Sequence, residues 1–102
     1  MHFSPLVVTV HPALMINIEL ARKTKKNEPK IFPGMMTVDK EAFGKLPEQG
    51  FILKTFWKSS VNKIFLAKKA DTNAIVGYAA ILEEKKGECY LMRIAVRAKC
   101  QR

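Results

Sequence analysis

Apolar and polar residues alternate along a short segment near the beginning of the chain. In Met15–Ala21 every second residue, Ile16, Ile18 and Leu20, is apolar, and polar residues stand between them. A period of two is typical of a β-strand that buries one face. We therefore predict the first strand of a sheet here, preceded by an N-terminal extension over residues 1–14. That extension is interpreted as either an additional strand or a flexible segment.

The middle of the chain has the spacing of two short helices. Thr37 is a suitable N-cap for the first helix, and Pro47 stops it. Between them, apolar residues fall on one helical face: Val38, Ala42, Phe43 and Leu46. A second helix is predicted over Phe51–Lys58, with Trp57 as a core or lid residue. The earlier stretch Arg22–Lys30 lacks apolar periodicity and is predicted to be a solvated loop.

Three runs of β-prone residues fill the second half of the chain. They cover Lys63–Lys69, Ala74–Leu82 and Glu88–Arg97. Turn-forming residues separate the first two runs, and the charged segment Glu83–Gly87 is typical of a hairpin connection. Because the helices precede these strands, we predict an α+β domain. Its sheet is mostly antiparallel, its element order is β-α-α-β-β-β, and its helices pack on the sheet.

The chain is strongly basic. Among its 102 residues, 18 are Lys or Arg and 9 are Asp or Glu, which gives a net charge of +9. Such an excess suggests an anionic partner of one of three kinds: nucleic acid, an acidic protein or a phosphate-bearing cofactor. The alternative is that lysines on solvated faces keep the protein in solution.

The cysteine and histidine content argues against two classes of site. Cys89 and Cys100 do not form a disulfide framework, and His2 and His11 both lie near the N-terminus, so no metal-ligand cluster is predicted. Reduced thiols are the default for a cytoplasmic protein, which is the location we expect. No apolar run reaches the roughly 18 residues that a membrane span needs, and no membrane partner is expected.

The last ten residues are basic and contain no acid. They include Arg93, Arg97, Lys99 and Arg102. A strand that ends in a basic loop is a suitable place to hold an anion, particularly where backbone N–H groups of a following helix point at it. The alternative is a set of surface charges around a strand end.

The same region carries an ordered set of motifs. Ile75–Tyr78 (IVGY) lies on one strand, a charged hairpin follows, and Tyr90–Val96 (YLMRIAV) forms the next strand. Gln101 and Arg102 then match the first two positions of a loop of pattern Q/R-x-x-G-x-G/A. In this order the motifs resemble the Gcn5-related N-acetyltransferase (GNAT) family. The resemblance covers residues 15–102. It implies the N-terminal part of such a domain, truncated before the acetyl-CoA pyrophosphate loop and its helix, with further residues following.

This resemblance implies an acetyl-CoA-dependent N-acetyltransferase that acts on an amine of a protein or of a small molecule. The main chain of Ile94, Ala95 and Val96 would pair with the pantetheine arm of acetyl-CoA and polarise the acetyl carbonyl. The backbone N–H groups near Gln101 and Arg102 would begin the pyrophosphate cradle.

A general base is sought on the same strand. Residues two apart share a face of a strand, so Glu88 and Tyr90 are candidates for relaying a proton through water. The alternatives are that Tyr90 is a core or substrate-wall residue and that Glu88 is a solvated strand end.

Two other partners are considered. If the chain ends at Arg102, the last strand is an exposed edge, and we then expect weak acetyl-CoA binding and either a homodimer through that edge or marginal stability. The alternative function is a small basic module without catalysis that binds RNA or an acidic protein. That function explains the net charge and the basic stretch Arg22–Lys30, but it explains the order of strands less well.

Overall fold

The computed structural model describes residues 6–11 and 14–98, with side chains described for residues 15–98. The described residues form five strands and two helices: β1 Leu6–His11, β2 Leu14–Leu20, α1 Glu28–Phe43, α2 Gln49–Lys58, β3 Asn62–Lys69, β4 Ile75–Lys85 and β5 Glu88–Val96. The strands form one sheet in sequence order, with every neighbouring pair antiparallel. The predicted α+β class and the antiparallel sheet are confirmed. Part of the predicted N-terminal extension is the additional strand β1.

Both helices contribute to one core on one face of the sheet. The buried cluster joins Met35 and Val38 of α1, Leu53 and Trp57 of α2, and inward-facing residues of the sheet: Ile64, Leu66, Tyr78, Ala80 and Ala95. Trp57 is 4% exposed, which confirms its interpretation as a core residue. Neither described helix has the length and hydropathy that a membrane span requires.

The opposite face of the sheet carries a shallow apolar depression of about 180 Å³. Residues from β2 to β5 line it, including Ile18, Phe65, Ala79 and Ile94. Because side chains alternate between the two faces of a strand, these residues point away from the side that holds α1 and α2. Among the described residues, no helix covers this face.

The first helix begins at Glu28, well before the predicted cap at Thr37. The N–H of Glu28 donates to the Thr24 carbonyl at 3.0 Å, which starts the helical turn. Pro29 lies in the first turn, where its missing N–H has no intrahelical partner to lose. Thr37 lies in the helix interior, and its hydroxyl donates to the Pro33 carbonyl at 3.0 Å. The predicted start of the first helix was therefore wrong. The prediction of a loop over residues 22–30 was also wrong for residues 28–30, which belong to α1.

The end of α1 also differs from the prediction. The helix stops at Phe43, before Pro47, because Gly44 follows with a φ of 77°. This left-handed region suits glycine, and the Gly44 N–H closes the helix by donating to the Lys40 carbonyl at 2.8 Å. Leu46, which was predicted to lie on the apolar face, is an exposed residue beyond the helix.

Pro33 and Gly34 are unusual residues for the interior of a helix. A proline in this position removes one backbone hydrogen bond and costs about 3 kcal/mol. The complete burial of Met35 and Val38 just beyond it offsets that cost. Gly34 lets α1 approach β4 closely, since a Cβ at this position would lie 2.8 Å from Cδ1 of Ile75.

Lys23 is not the solvated residue that its basic surroundings predicted. Its Nζ donates to the carbonyl of Phe56 at 3.1 Å and to the carbonyls of Ser59 and Asn62. The ammonium thereby binds two carbonyls at the C-terminal end of α2, where helical carbonyls lack partners and the helix dipole favours a cation. Its third donor binds a carbonyl at the start of β3. Burial lowers the pKa of Lys23 from its ordinary value.

We predict that Lys23→Met lowers the free energy of unfolding by roughly 1–3 kcal/mol, because the carbonyls at the end of α2 lose a charged donor. Urea unfolding followed by circular dichroism measures this change. Lys26→Met is the matched control, since Lys26 is an exposed lysine of the same segment. Equal stability of the two variants would contradict the role given to Lys23.

Candidate functional site

Strand β5 forms one edge of the described sheet, with β4 as its only neighbour there. The Arg97 N–H donates to the Val76 carbonyl at 2.9 Å. In an antiparallel ladder, every second residue of a strand hydrogen-bonds through its main chain to the neighbouring strand on one side. The main-chain groups of the residues between them face the other side. Ala95, which lies opposite Tyr78, therefore also bonds to β4. The N–H and C=O of Ile94 consequently face the open edge.

A β-bulge interrupts β5 just before this position. Ala80 lies opposite Arg93, whereas Ile81 lies opposite Leu91, so Met92 is an additional residue on β5. A bulge bends its strand and increases the local twist, and such irregularities are frequent beside active sites. The bulge therefore redirects the main chain of β5 immediately before Ile94.

The structure places the three described residues predicted to bind the cofactor at the end of β5. Ile94 is 53% exposed, whereas Ala95 is buried in the core beneath the helices. Val96 is half-buried and lies opposite Gly77. Gln101 and Arg102 lie outside the described residues. Of these three residues, Ile94 is thus the most accessible to a ligand at the strand edge.

The two predicted proton-relay residues lie towards the other end of the same strand. Glu88 and Tyr90 are both exposed. A strand rises about 3.3 Å per residue, so Glu88 is about 20 Å from Ile94 along β5 and Tyr90 is about 13 Å from it. A relay through one water spans only a few ångströms. The structure therefore does not bring these residues to the part of the edge where Ile94 lies.

Two residues of the basic tail pair with acids of α1. Arg93 binds Asp39, and Arg97 Nε donates to Oε2 of Glu41 at 3.0 Å. The other oxygen of Glu41 accepts the N–H of Ala98 at 2.9 Å. Arg93 is therefore part of a buried ion pair, whereas Arg97 forms a partly exposed pair at the strand end. The guanidinium of Arg97 and the backbone N–H of Ala98 already hold an internal carboxylate.

The Asp39 carboxylate is the centre of a buried polar cluster. Its two oxygens accept hydrogen bonds from Nε and Nη2 of Arg93, both at 2.8 Å. Tyr78 donates its hydroxyl to the same carboxylate, and Gln49 donates its side-chain amide. The Arg93 guanidinium also lies over the Phe43 ring, 4.4 Å from its centroid. The cluster thereby joins α1, α2, β4 and β5.

Burial and hydrogen bonding set the protonation states of Asp39 and Tyr78 in this cluster. Burial raises the pKa of Asp39, but hydrogen bonds from Arg93, Tyr78 and Gln49 outweigh burial and leave the pKa below its ordinary value. Burial, together with the Asp39 hydrogen bond and charge, raises the pKa of Tyr78 well above its ordinary value. Tyr78 therefore remains a neutral donor and Asp39 a charged acceptor.

Sequence reasoning did not identify this cluster. One signal was present, because Arg93 is a charged residue in the middle of an apolar strand, and buried charges in proteins require a partner. The identity of the partner could not be read from the chain. Asp39 lies in a region that was predicted as the first turn of a helix, where an acid is explained by the helix dipole alone.

No protein-family model matches the chain, and no match was found among curated protein sequences.

We predict that Asp39→Asn lowers the free energy of unfolding by about 3–5 kcal/mol, because it leaves the partly buried guanidinium of Arg93 without its counter-charge. Tyr78→Phe, which removes one hydrogen bond and no charge, is expected to cost only about 1 kcal/mol. Urea unfolding of the variants measures both changes. A loss for Asp39→Asn no larger than that for Tyr78→Phe would show that the ion pair does not hold the cluster together.

The depressed pKa of Asp39 predicts a dependence of stability on pH. The folded protein binds a proton at this carboxyl less readily than the unfolded chain does. Its contribution to stability is therefore complete above about pH 4 and is lost as the pH falls through the folded pKa. A ¹³C NMR titration of the Asp39 carboxyl measures the folded pKa directly. A midpoint at or above that of a free aspartate would contradict the assignment.

Proposed function

We propose that the chain is the N-terminal part of a GNAT-like domain and that its function is acetyl-CoA-dependent N-acetyl transfer to an amine of a protein or of a small molecule. The observation that carries this proposal is the open edge of β5 at Ile94, next to the bulge at Met92. The order β-α-α-β-β-β from β2 onward supports it as well.

The chemistry of transfer requires little of the side chains at this edge. The pantetheine arm of acetyl-CoA contains amide groups, which can extend a β-ladder by pairing with an exposed strand edge. An outward N–H can also polarise the acetyl carbonyl, where negative charge develops when the amine attacks. The main chain of Ile94 offers one such donor and one acceptor, so apolar side chains suffice there.

The residues just beyond β5 supply a place for negative charge. The carboxylate of Glu41 shows that the Arg97 side chain and the Ala98 N–H can together hold an anion. A cofactor phosphate would compete with this carboxylate for the same donors, because phosphate and carboxylate accept the same charge-assisted hydrogen bonds. Gln101 and Arg102 would extend this region.

The proposal assigns catalysis to positioning and to carbonyl polarisation by the main chain. Correct placement of two reactants alone can lower a barrier by roughly 7–11 kcal/mol. Glu88 and Tyr90 lie about 20 Å and about 13 Å from Ile94 along the strand, and they are not given the role of base.

The second candidate is a basic module that binds RNA or an acidic protein. The exposed cations that remain in the segment before α1, Arg22, Lys25 and Lys26, favour it. Lys23, Arg93 and Arg97 contribute less than the net charge suggests, because each bonds internally. Binding of RNA that weakens steeply with salt, without binding of acetyl-CoA, would support this candidate.

Isothermal titration calorimetry with acetyl-CoA tests the proposal, on this chain and on a longer chain from the same source. We predict that Ile94→Pro weakens binding at least about tenfold, or 1.4 kcal/mol, because it removes the outward N–H. Proline is tolerated on an edge strand where its missing N–H faces solvent, so the fold should persist. Ile94→Val is the matched control, since it keeps the N–H and should bind like the wild type.

Two results would contradict the proposal. One is the absence of acetyl-CoA binding by both chains. The other is equal binding by Ile94→Pro and Ile94→Val, which would show that the cofactor does not use this strand edge.

A further inference from the structure

An open cleft lies between the first turns of α1 and the turn that joins β3 to β4. Its volume is about 600 Å³, which is typical of sites for small molecules. The end of β2 and the segment after it form another wall. No described residue of β5 lines this cleft, so it is separate from the open edge at Ile94.

The cleft carries more positive than negative charge. Arg22, Lys30 and Lys68 line it, and Glu19 is its one acid. Nζ of Lys68 lies 2.5 Å from Oε1 of Glu19, so these two charges neutralise each other. Within the part of the chain that the structure describes, Arg22 and Lys30 have no ion-pair partner. Two positive charges therefore remain, in a concavity that concentrates their field.

The wall that carries Arg22 is held in place by hydrogen bonds at Arg22 itself and at both of its neighbours. The Ala21 N–H donates to the Ile64 carbonyl at 2.8 Å, and Nδ2 of Asn27 donates to the Arg22 carbonyl at 3.1 Å. The next residue, Lys23, is anchored at the end of α2. The backbone of Arg22 is thus ordered before any ligand arrives, which reduces the entropy lost on binding.

The apolar part of the cleft comes from α1 and β4. Ile31 and Ile75 are half-buried and pack against the core. Gly34 lies between them in the lining, and its lack of a side chain keeps α1 and β4 close. An apolar surface beside two unpaired cations suits a ligand that has both an apolar group and negative charge.

We propose that this cleft binds a small organic anion, with its charged group at Arg22 and Lys30 and its apolar group against Ile31 and Ile75. A phosphate monoester fits best. It carries close to two negative charges at neutral pH, which matches the two unpaired cations. The planar guanidinium of Arg22 also matches the oxygens of a phosphate group, to which arginine can donate two parallel hydrogen bonds.

Titration of the ¹⁵N-labelled chain with butyl phosphate tests the site by NMR. We expect saturable shifts of the amides of Arg22, Lys30 and Ile31. Arg22→Ala and Lys30→Ala should each weaken binding about tenfold, equivalent to 1.4 kcal/mol. Lys30→Arg, which keeps the charge, should retain binding. Lys26→Ala is the control, since Lys26 is an exposed cation outside the cleft.

Two further probes distinguish the contribution of the charged group to binding from that of the apolar group. Inorganic phosphate, which lacks the apolar group, should bind more weakly than butyl phosphate, and butanol should not bind. The proposal is overturned if butyl phosphate gives no saturable shifts, if the Arg22 and Lys30 variants bind it like the wild type, or if inorganic phosphate binds as tightly. None of these results depends on acetyl-CoA, so the cleft and the strand edge are tested separately.

Discussion

The arrangement of the domain depends on the hydrogen bonds that the Asp39 carboxylate accepts. This carboxylate accepts hydrogen bonds from an arginine of β5, a tyrosine of β4 and a glutamine of α2, while it lies on α1 itself. A charge buried in this way is costly, and a buried ion pair does not by itself stabilise a fold more than apolar packing would. We expect its effect to be on specificity, because the carboxylate is satisfied only when donors from α2, β4 and β5 all reach it.

This constraint extends to the candidate functional edge. Arg93 lies between the bulge residue Met92 and Ile94, and its bidentate bond to Asp39 holds β5 from the side of the helices. A second pair, between Arg97 and Glu41, holds the end of the same strand to the same helix. Ile94 therefore lies between two points at which β5 is fixed to α1. A strand edge held in this way can present its backbone donor and acceptor to a ligand with little loss of entropy.

The strands were predictable from sequence because their signals are local. The alternation around Ile16, Ile18 and Leu20 requires only neighbouring residues, and the hairpin before Glu88 was evident from its charges and from Gly87, which adopts a φ of 88°. The start of α1 was missed because Pro33 and Gly34 indicate a break, whereas the buried contacts of Met35 and Val38 outweigh that local preference. The bonding partners of residues that are distant in sequence could not be predicted. Lys23 and Arg93 are basic residues in the sequence, and only the fold shows which carbonyls and which carboxylate they bind.

The central claim is the proposal that acetyl-CoA binds at the edge of β5 near Ile94. The most direct measurement is an NMR titration of the ¹⁵N-labelled chain with acetyl-CoA, because it reports the site of binding residue by residue. The account predicts saturable shifts at the amides of Ile94, Arg97 and Ala98. Shifts confined to the cleft, or no saturable shifts in either this chain or a longer chain from the same source, would contradict it.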